Sequence, residues 1–366
     1  MSFSPVPTVR KTYDLSTIDV QSLLEMIIIR RPARYEGDEE LIERFLDPID
    51  GMQEDEHGNR ILKIGDAPVM WSCHTDTVHS SKSFDKYQRI RFDKGIISLA
   101  KDEKSNCLGA DCTAGIWIML EMIKGGVEGL YIFHRDEEVG GYGSSYVAKH
   151  HLDLIKDIKY AIAFDRKGNS SIITHQAMER CASDAFAESL SKLLPVGYLK
   201  DDGGTFTDTA NYTSIIPECT NISVGYDDAH SSKESLNVYD LLRLREAMLK
   251  FDHTQLVCER DPSITEYSED FMRYSTRTSA YRSSYGLDDW EDRDAIWRKP
   301  EGKKVFDLTP HIEGIDYEDY DPDEYPNMAC RTLKEFITTY PDVAADYLEQ
   351  QGYAVEDFYE QFPWLA

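Results

Sequence analysis

Glu137 and Glu138 stand side by side, shortly after the apolar run 129–133 and just before Gly140-Gly141. Neighbouring carboxylates at the end of a strand repel each other in a structural role. A metal ion removes that difficulty, because one carboxylate can ligate while the other moves protons on a water. An isolated Glu-Glu would read as a solvated turn, but this pair has company. His74 follows the apolar run 69–73, Asp165 follows 158–164, and His230 lies beyond the short apolar segment 221–225. Asp111 precedes the apolar stretch 116–123. Two imidazoles and three carboxylates suit a pair of Zn²⁺ ions sharing one carboxylate, and Co²⁺ or Mn²⁺ would also fit. Such pairs sit ~3.5–4 Å apart. Asp76, two residues after His74, falls on the same side of an extended chain and can hold the imidazole's other nitrogen. Taken singly, each has a plainer reading: a polar loop after a strand for His74-Thr75-Asp76, a helix N-cap for Asp111.

The elements that must position these residues alternate between strand and helix. Buried-strand patterns occur at 60–64, 69–73, 129–133, 158–164 and 221–225, with weaker ones at 95–100 and 170–174. Helical patterns occur at 16–29, 39–46, 116–123, 142–149, 184–194 and 238–251. This order predicts an open α/β sheet. Ligands of such sheets bind where the carboxyl ends of the strands converge.

The catalytic domain is expected to span 1–260. From about Asp261 the composition changes to Ser, Tyr, Arg and Asp, and His311 to Asn327 carries seven acids with no Lys or Arg. That predicts an acidic, Tyr/Asp-rich connector over 261–327 and a short helical tail over 328–366. The tail could dock a partner, cap the site or mediate assembly. The net charge of −27 argues against nucleic-acid partners. The longest apolar stretch near the amino terminus is too short to span a membrane, and the seven cysteines are odd in number with no C-x-x-C pair, so a cytoplasmic location is expected.

His74-Thr75-Asp76, Leu108-Gly109-Ala110-Asp111, Asp136-Glu137-Glu138-Val139-Gly140-Gly141, Phe164-Asp165 and His230-Ser231-Ser232-Lys233-Glu234 occur in this order over roughly residues 16–255. In these five motifs the chain resembles the co-catalytic zinc exopeptidase superfamily of aminopeptidases, carboxypeptidases, dipeptidases and N-acyl amino-acid deacylases. The resemblance implies that His74 and Asp165 hold one zinc, Glu138 and His230 the other, and that Asp111 bridges them. It makes Glu137 the general base and Asp76 the residue that orients His74, and it implies an α/β fold in three layers, a mostly parallel twisted sheet with helices on both faces. The 37 positions from His74 to Asp111 and the 65 from Asp165 to His230 leave no room for the domains that some branches insert there. The chain is therefore most similar to the compact single-domain aminopeptidases. Cys112 departs from the pattern, since the family commonly has a polar residue there, joined through a cis peptide bond. Thr207-Asp208 resembles a Thr-Asp motif near the substrate in the cage-forming branch, which makes Asp208 a candidate substrate contact.

The expected activity is hydrolysis of a peptide or small amide, with an aminopeptidase first. A deacylase, carboxypeptidase or dipeptidase is the alternative among enzymes, and a catalytically silent binding scaffold the alternative outside them. Asp201, Asp202, Asp208, Asp227 and Asp228 form a carboxylate-rich set that favours a substrate ammonium group. Segment 203–233 has no Arg to clamp a substrate carboxylate.

Overall fold

The computed structural model describes residues 20–80, 85–177 and 179–266. The chain divides into two compact units, Met1–Tyr281 and Arg282–Ala366. The second unit, with the expected tail and most of the expected connector, lies outside the described residues. The body of the first does not stop at 260. Glu259 and Arg260 donate their backbone N–H groups to Glu218, and Arg180 donates its own to the Glu266 carbonyl.

Among the described residues, fourteen strands run in chain order as β1 (Gln53–Glu54), β2 (Arg60–Ile64), β3 (Val69–His74), β4 (Ile90–Asp93), β5 (Ile96–Leu99), β6 (Gly129–His134), β7 (Tyr160–Arg166), β8 (Ser171–Ile173), β9 (His175–Gln176), β10 (Glu179–Arg180), β11 (Leu199–Asp201), β12 (Glu218–Ser223), β13 (Tyr226–Asp227) and β14 (Ser235–Asn237). The helices are α1 (Gln21–Ile27), α2 (Glu36–Leu41), α3 (Ala110–Lys124), α4 (Tyr142–His150), α5 (Leu152–Ile155), α6 (Asp184–Ser191) and α7 (Val238–Met248). A π-helical turn, Ile42–Leu46, extends α2.

The main sheet has the order β1-β2-β6-β3-β7-β12-β8-β11. Its centre, β6-β3-β7-β12, is parallel throughout, while β1, β2 and β8 join antiparallel. The sheet is therefore parallel where the ligands lie and mixed at its edges. Every residue of β3 and β6 is buried, as expected of central strands covered on both faces. From β3 the chain crosses through α3 to β6 on one side, then through α4 and α5 to β7 on the other. Right-handed crossovers in opposite directions put α3 and α4 on opposite faces.

Helix α3 packs on β3 and β7 and is flanked by α1 and α7. Gly115 makes the close approach possible, since a Cβ there would lie 2.2 Å from the Phe164 carbonyl oxygen. Trp71 anchors the same layer, fully buried and edge-on to Phe251 at 5.1 Å. Truncating such a side chain costs about 3–5 kcal/mol. A second, antiparallel sheet of order β13-β14-β5-β4 stands apart. It carries the His230 loop between β13 and β14.

Candidate metal centre

The change of direction at β3 opens the crevice in which open α/β sheets place their ligands. His74 is the last residue of β3, Asp165 lies next to the end of β7, and Glu137 and Glu138 follow β6. Asp111 sits at the head of α3, and His230 reaches in from its loop. All five expected ligands and the expected base meet there.

His74 Nε2 lies 3.2 Å from Asp111 Oδ1 and 3.4 Å from Asp165 Oδ1. His230 Nε2 lies 2.8 Å from the other Asp111 oxygen, Oδ2, and 2.9 Å from Glu138 Oε1. Asp111 thus offers one oxygen to each imidazole, the arrangement of a shared carboxylate. Ligating atoms of His74, Asp111 and Asp165 fall within 4.8 Å of one another, as do those of Asp111, Glu138 and His230. A third triple, His74, Glu137 and Glu138, meets the same limit.

Charge in this cluster is costly. Burial, with the Asp111 charge beside it, pushes the Asp165 carboxyl up to about 7. Burial also raises Glu137 well above the usual carboxylate range, and the Glu138 charge adds to this. Against its own burial, His230 is held up to about 10 by Asp111 and Glu138. Glu138 Oε1 is buried, with the His230 imidazole beside it. Converging buried carboxylates and two imidazoles fit a pair of divalent cations. The donor set would hold them as His74/Asp165 and Glu138/His230 with Asp111 common to both.

Two of the turns that bear expected ligands are each held by a carboxylate from a different segment of the cluster. Asp76 accepts the backbone N–H groups of Glu137 and Glu138, each at 3.1 Å. Its relation to His74 is looser than expected. His74 Nδ1 lies 3.0 Å from the Asp76 backbone carbonyl and 3.5 Å from its carboxylate. Glu234, four residues after His230, is the counterpart. Its buried carboxylate accepts the N–H groups of Leu108, Gly109, Ala110 and Asp111 at 2.8–3.0 Å. The motif containing Glu234 was visible in sequence, but its work on a turn so distant in the chain was not.

Further supports have no sequence signal. Arg31 is fully buried and donates to the Thr75 carbonyl and to Thr113 Oγ1, tying β3's end to α3. Arg34 clamps the Asp136 carboxylate through Nε and Nη2 at 2.6–3.0 Å, and His57 Nε2 lies 3.0 Å from it. This fixes Asp136 in a left-handed conformation, φ 62°, from which the acidic turn departs.

Several expectations are revised. Asp111 does not cap α3; Gly109 (φ 72°) is the N-cap, and Asp111 itself is extended with ψ 116°. No peptide bond is cis among the described residues, and Cys112 completes the turn with φ 77°. Asp208 is fully buried, with Oδ2 3.3 Å from His134 Nδ1, so it does not line a surface open to substrate. Asp201 pairs with Arg166 at 3.3 Å. Asp202, Asp227 and Asp228 remain exposed.

No protein-family model matches the chain, and no curated protein sequence does. Solved structures do. The aminopeptidase PepT from Bacillus cereus superposes with a TM-score of 0.52 at 14% identity, over 64% of this chain and 97% of that one. The dodecameric PhTET1-12s superposes with a TM-score of 0.50 at 16% identity, over 64% of this chain and 99% of that one. The chain therefore has the α/β fold of these proteins, in agreement with the resemblance carried by its motifs.

Proposed function

We propose that the chain is a metal-dependent aminopeptidase. The observation that carries the reading is Asp111, whose two oxygens address His74 and His230 on opposite sides at 3.2 and 2.8 Å. Two divalent cations, Zn²⁺ first and Co²⁺ or Mn²⁺ as substitutes, are the partners such a donor set takes. Cations held there would supply Lewis acidity for a carbonyl and a water. Glu137 takes a proton from the attacking water and returns it to the leaving amine. Its raised proton affinity suits a group that must both accept and give. Asp76 keeps the Glu137 backbone in place while the side chain moves the proton.

The exposed Asp202, Asp227 and Asp228 favour a substrate ammonium group over a carboxylate. The unpaired thiols fit a reducing, cytoplasmic setting. The test compares a short peptide with its N-acetylated form on zinc-loaded protein. Hydrolysis confined to the free amine supports an aminopeptidase. Faster hydrolysis of the blocked form replaces that reading with a deacylase.

A further inference from the structure

Three large apolar side chains stand exposed beside the acidic turn: Val139 at 52%, Tyr142 at 45% and Phe206 at 42%. Val139 follows Glu138 directly, and Tyr142 opens α4 at the end of the same turn. Phe206 arrives from another part of the chain. A Cβ placed on Gly141 would lie 2.6 Å from its Cζ, and one on Gly140 would lie 3.3 Å from the Tyr142 ring. The two rings therefore flank a Gly-Gly surface kept bare of side chains.

Phe206 does not hang on a free loop. Gly204 bridges to Gln176, and Ala177 donates its N–H to the Thr205 carbonyl at 3.0 Å. On the other side, Asn211 donates to the Gly141 carbonyl at 3.2 Å and to Ser144 Oγ at 2.8 Å. Two aromatic rings exposed on a pinned frame next to a charged cleft mark a surface built for an apolar group. Because the frame is already fixed, little ordering is left to oppose binding.

We infer that Phe206, Tyr142 and Val139 form the subsite for the side chain of the substrate's first residue, and that they select large apolar residues such as Leu, Phe or Met. The inference rests on the aminopeptidase reading. The occupant follows from position: Val139 and Tyr142 continue the turn carrying Glu137 and Glu138, where on the aminopeptidase reading the scissile carbonyl lies.

The experiment uses zinc-loaded full-length chain and tripeptides that differ only in the first residue: Leu, Phe, Ala, Lys or Glu. Affinity is read on Glu137→Gln protein, which should bind without turnover, and kcat/KM on the unmodified chain. Leu and Phe should bind roughly tenfold or more tighter than Ala, the discrimination that a few methylenes provide. Phe206→Ala should remove most of that difference and leave the Ala peptide within about twofold, while Phe206→Leu should keep it. Equal affinity for all five peptides overturns the subsite, and so does a preference for Lys or Glu. A Phe206→Ala protein whose sedimentation changes while its selectivity does not also overturns it, because the patch would then be an interface between copies. The two readings fail separately. Apolar preference in binding with no hydrolysis of any peptide removes the hydrolase and keeps the subsite. Hydrolysis indifferent to the first residue does the reverse.

Discussion

The turn before α3 and the turn after β6 solve one problem in two ways. Both leave the regular fold through a left-handed residue, Gly109 in one and Asp136 in the other. Both have their backbone N–H groups held by a carboxylate from a neighbouring ligand segment. Glu234 takes four N–H groups of the first turn, and Arg31 ties that end of α3 to the end of β3. Asp76 takes only two N–H groups of the second. The first turn carries the residue that both ions would share, so any displacement there is felt twice. The second carries a group that must exchange protons, and it is held by fewer bonds.

That contrast can be broken most severely at its centre. Asp111→Ala should lose both ions together and take activity to background, whereas Asp165→Ala should spare the Glu138/His230 side. Elemental analysis of the two proteins after zinc reconstitution decides it, and equal retention in both would remove Asp111 as the shared ligand. Glu137→Gln comes next. Loss of a general base costs ~10²–10⁴-fold in rate, and metal content should be nearly unchanged. If zinc leaves instead, the roles of Glu137 and Glu138 are exchanged.

Glu234→Gln tests the tighter turn. The amide nitrogen would face backbone donors, a mismatch worth about 1–3 kcal/mol of stability. Residues that orient ligands in this way change metal affinity by ~10–100-fold. Zinc titration on folded protein should show that loss, and an unchanged affinity would leave Glu234 a structural residue only. Asp76→Asn sharpens the comparison from the looser side. Because the Asp76 backbone carbonyl is nearer His74 Nδ1 than the carboxylate is, zinc should stay while kcat falls. Zinc loss would show that the carboxylate orients His74 after all. The smallest effect belongs to Arg34→Ala. Arg34 is 46% exposed, and such pairs contribute at most about 1 kcal/mol, so a shift of more than a few degrees in Tm would mean that the Asp136 clamp matters more than its exposure suggests.

The cluster of His74, Asp111, Glu138, Asp165 and His230 was legible because most of its members sit beside a strongly patterned element. Strand β2 matches its expected bounds, and β3 and β6 each run one residue further than their apolar cores. What was not legible depends on contacts across long separations or on exposed backbone. Strand β4 alternates apolar and polar residues over Ile90–Asp93 but is only four residues long and mostly exposed, too short a pattern to mark it. The pairing of Glu234 with the turn at 108–111 and of Arg34 with Asp136 joins segments that share no local signal. Asp208 was placed near the substrate by a short motif alone, and burial against His134 is a fact of packing that a two-residue motif does not carry.

The reach of Glu234 sets an order in time. The turn it holds lies 123 to 126 residues earlier in the chain, which is about 6 to 25 s of synthesis at typical ribosomal rates. At the start of that interval His74 and Asp111 have been made and Glu138 and Asp165 follow within it, yet the carboxylate that holds the Asp111 N–H has not been made. A nascent chain offers carboxylates without their final spacing. On the proposed reading, metal loading would therefore come late in the protein's biogenesis, after the segment from His230 to Glu234 has been added and docked.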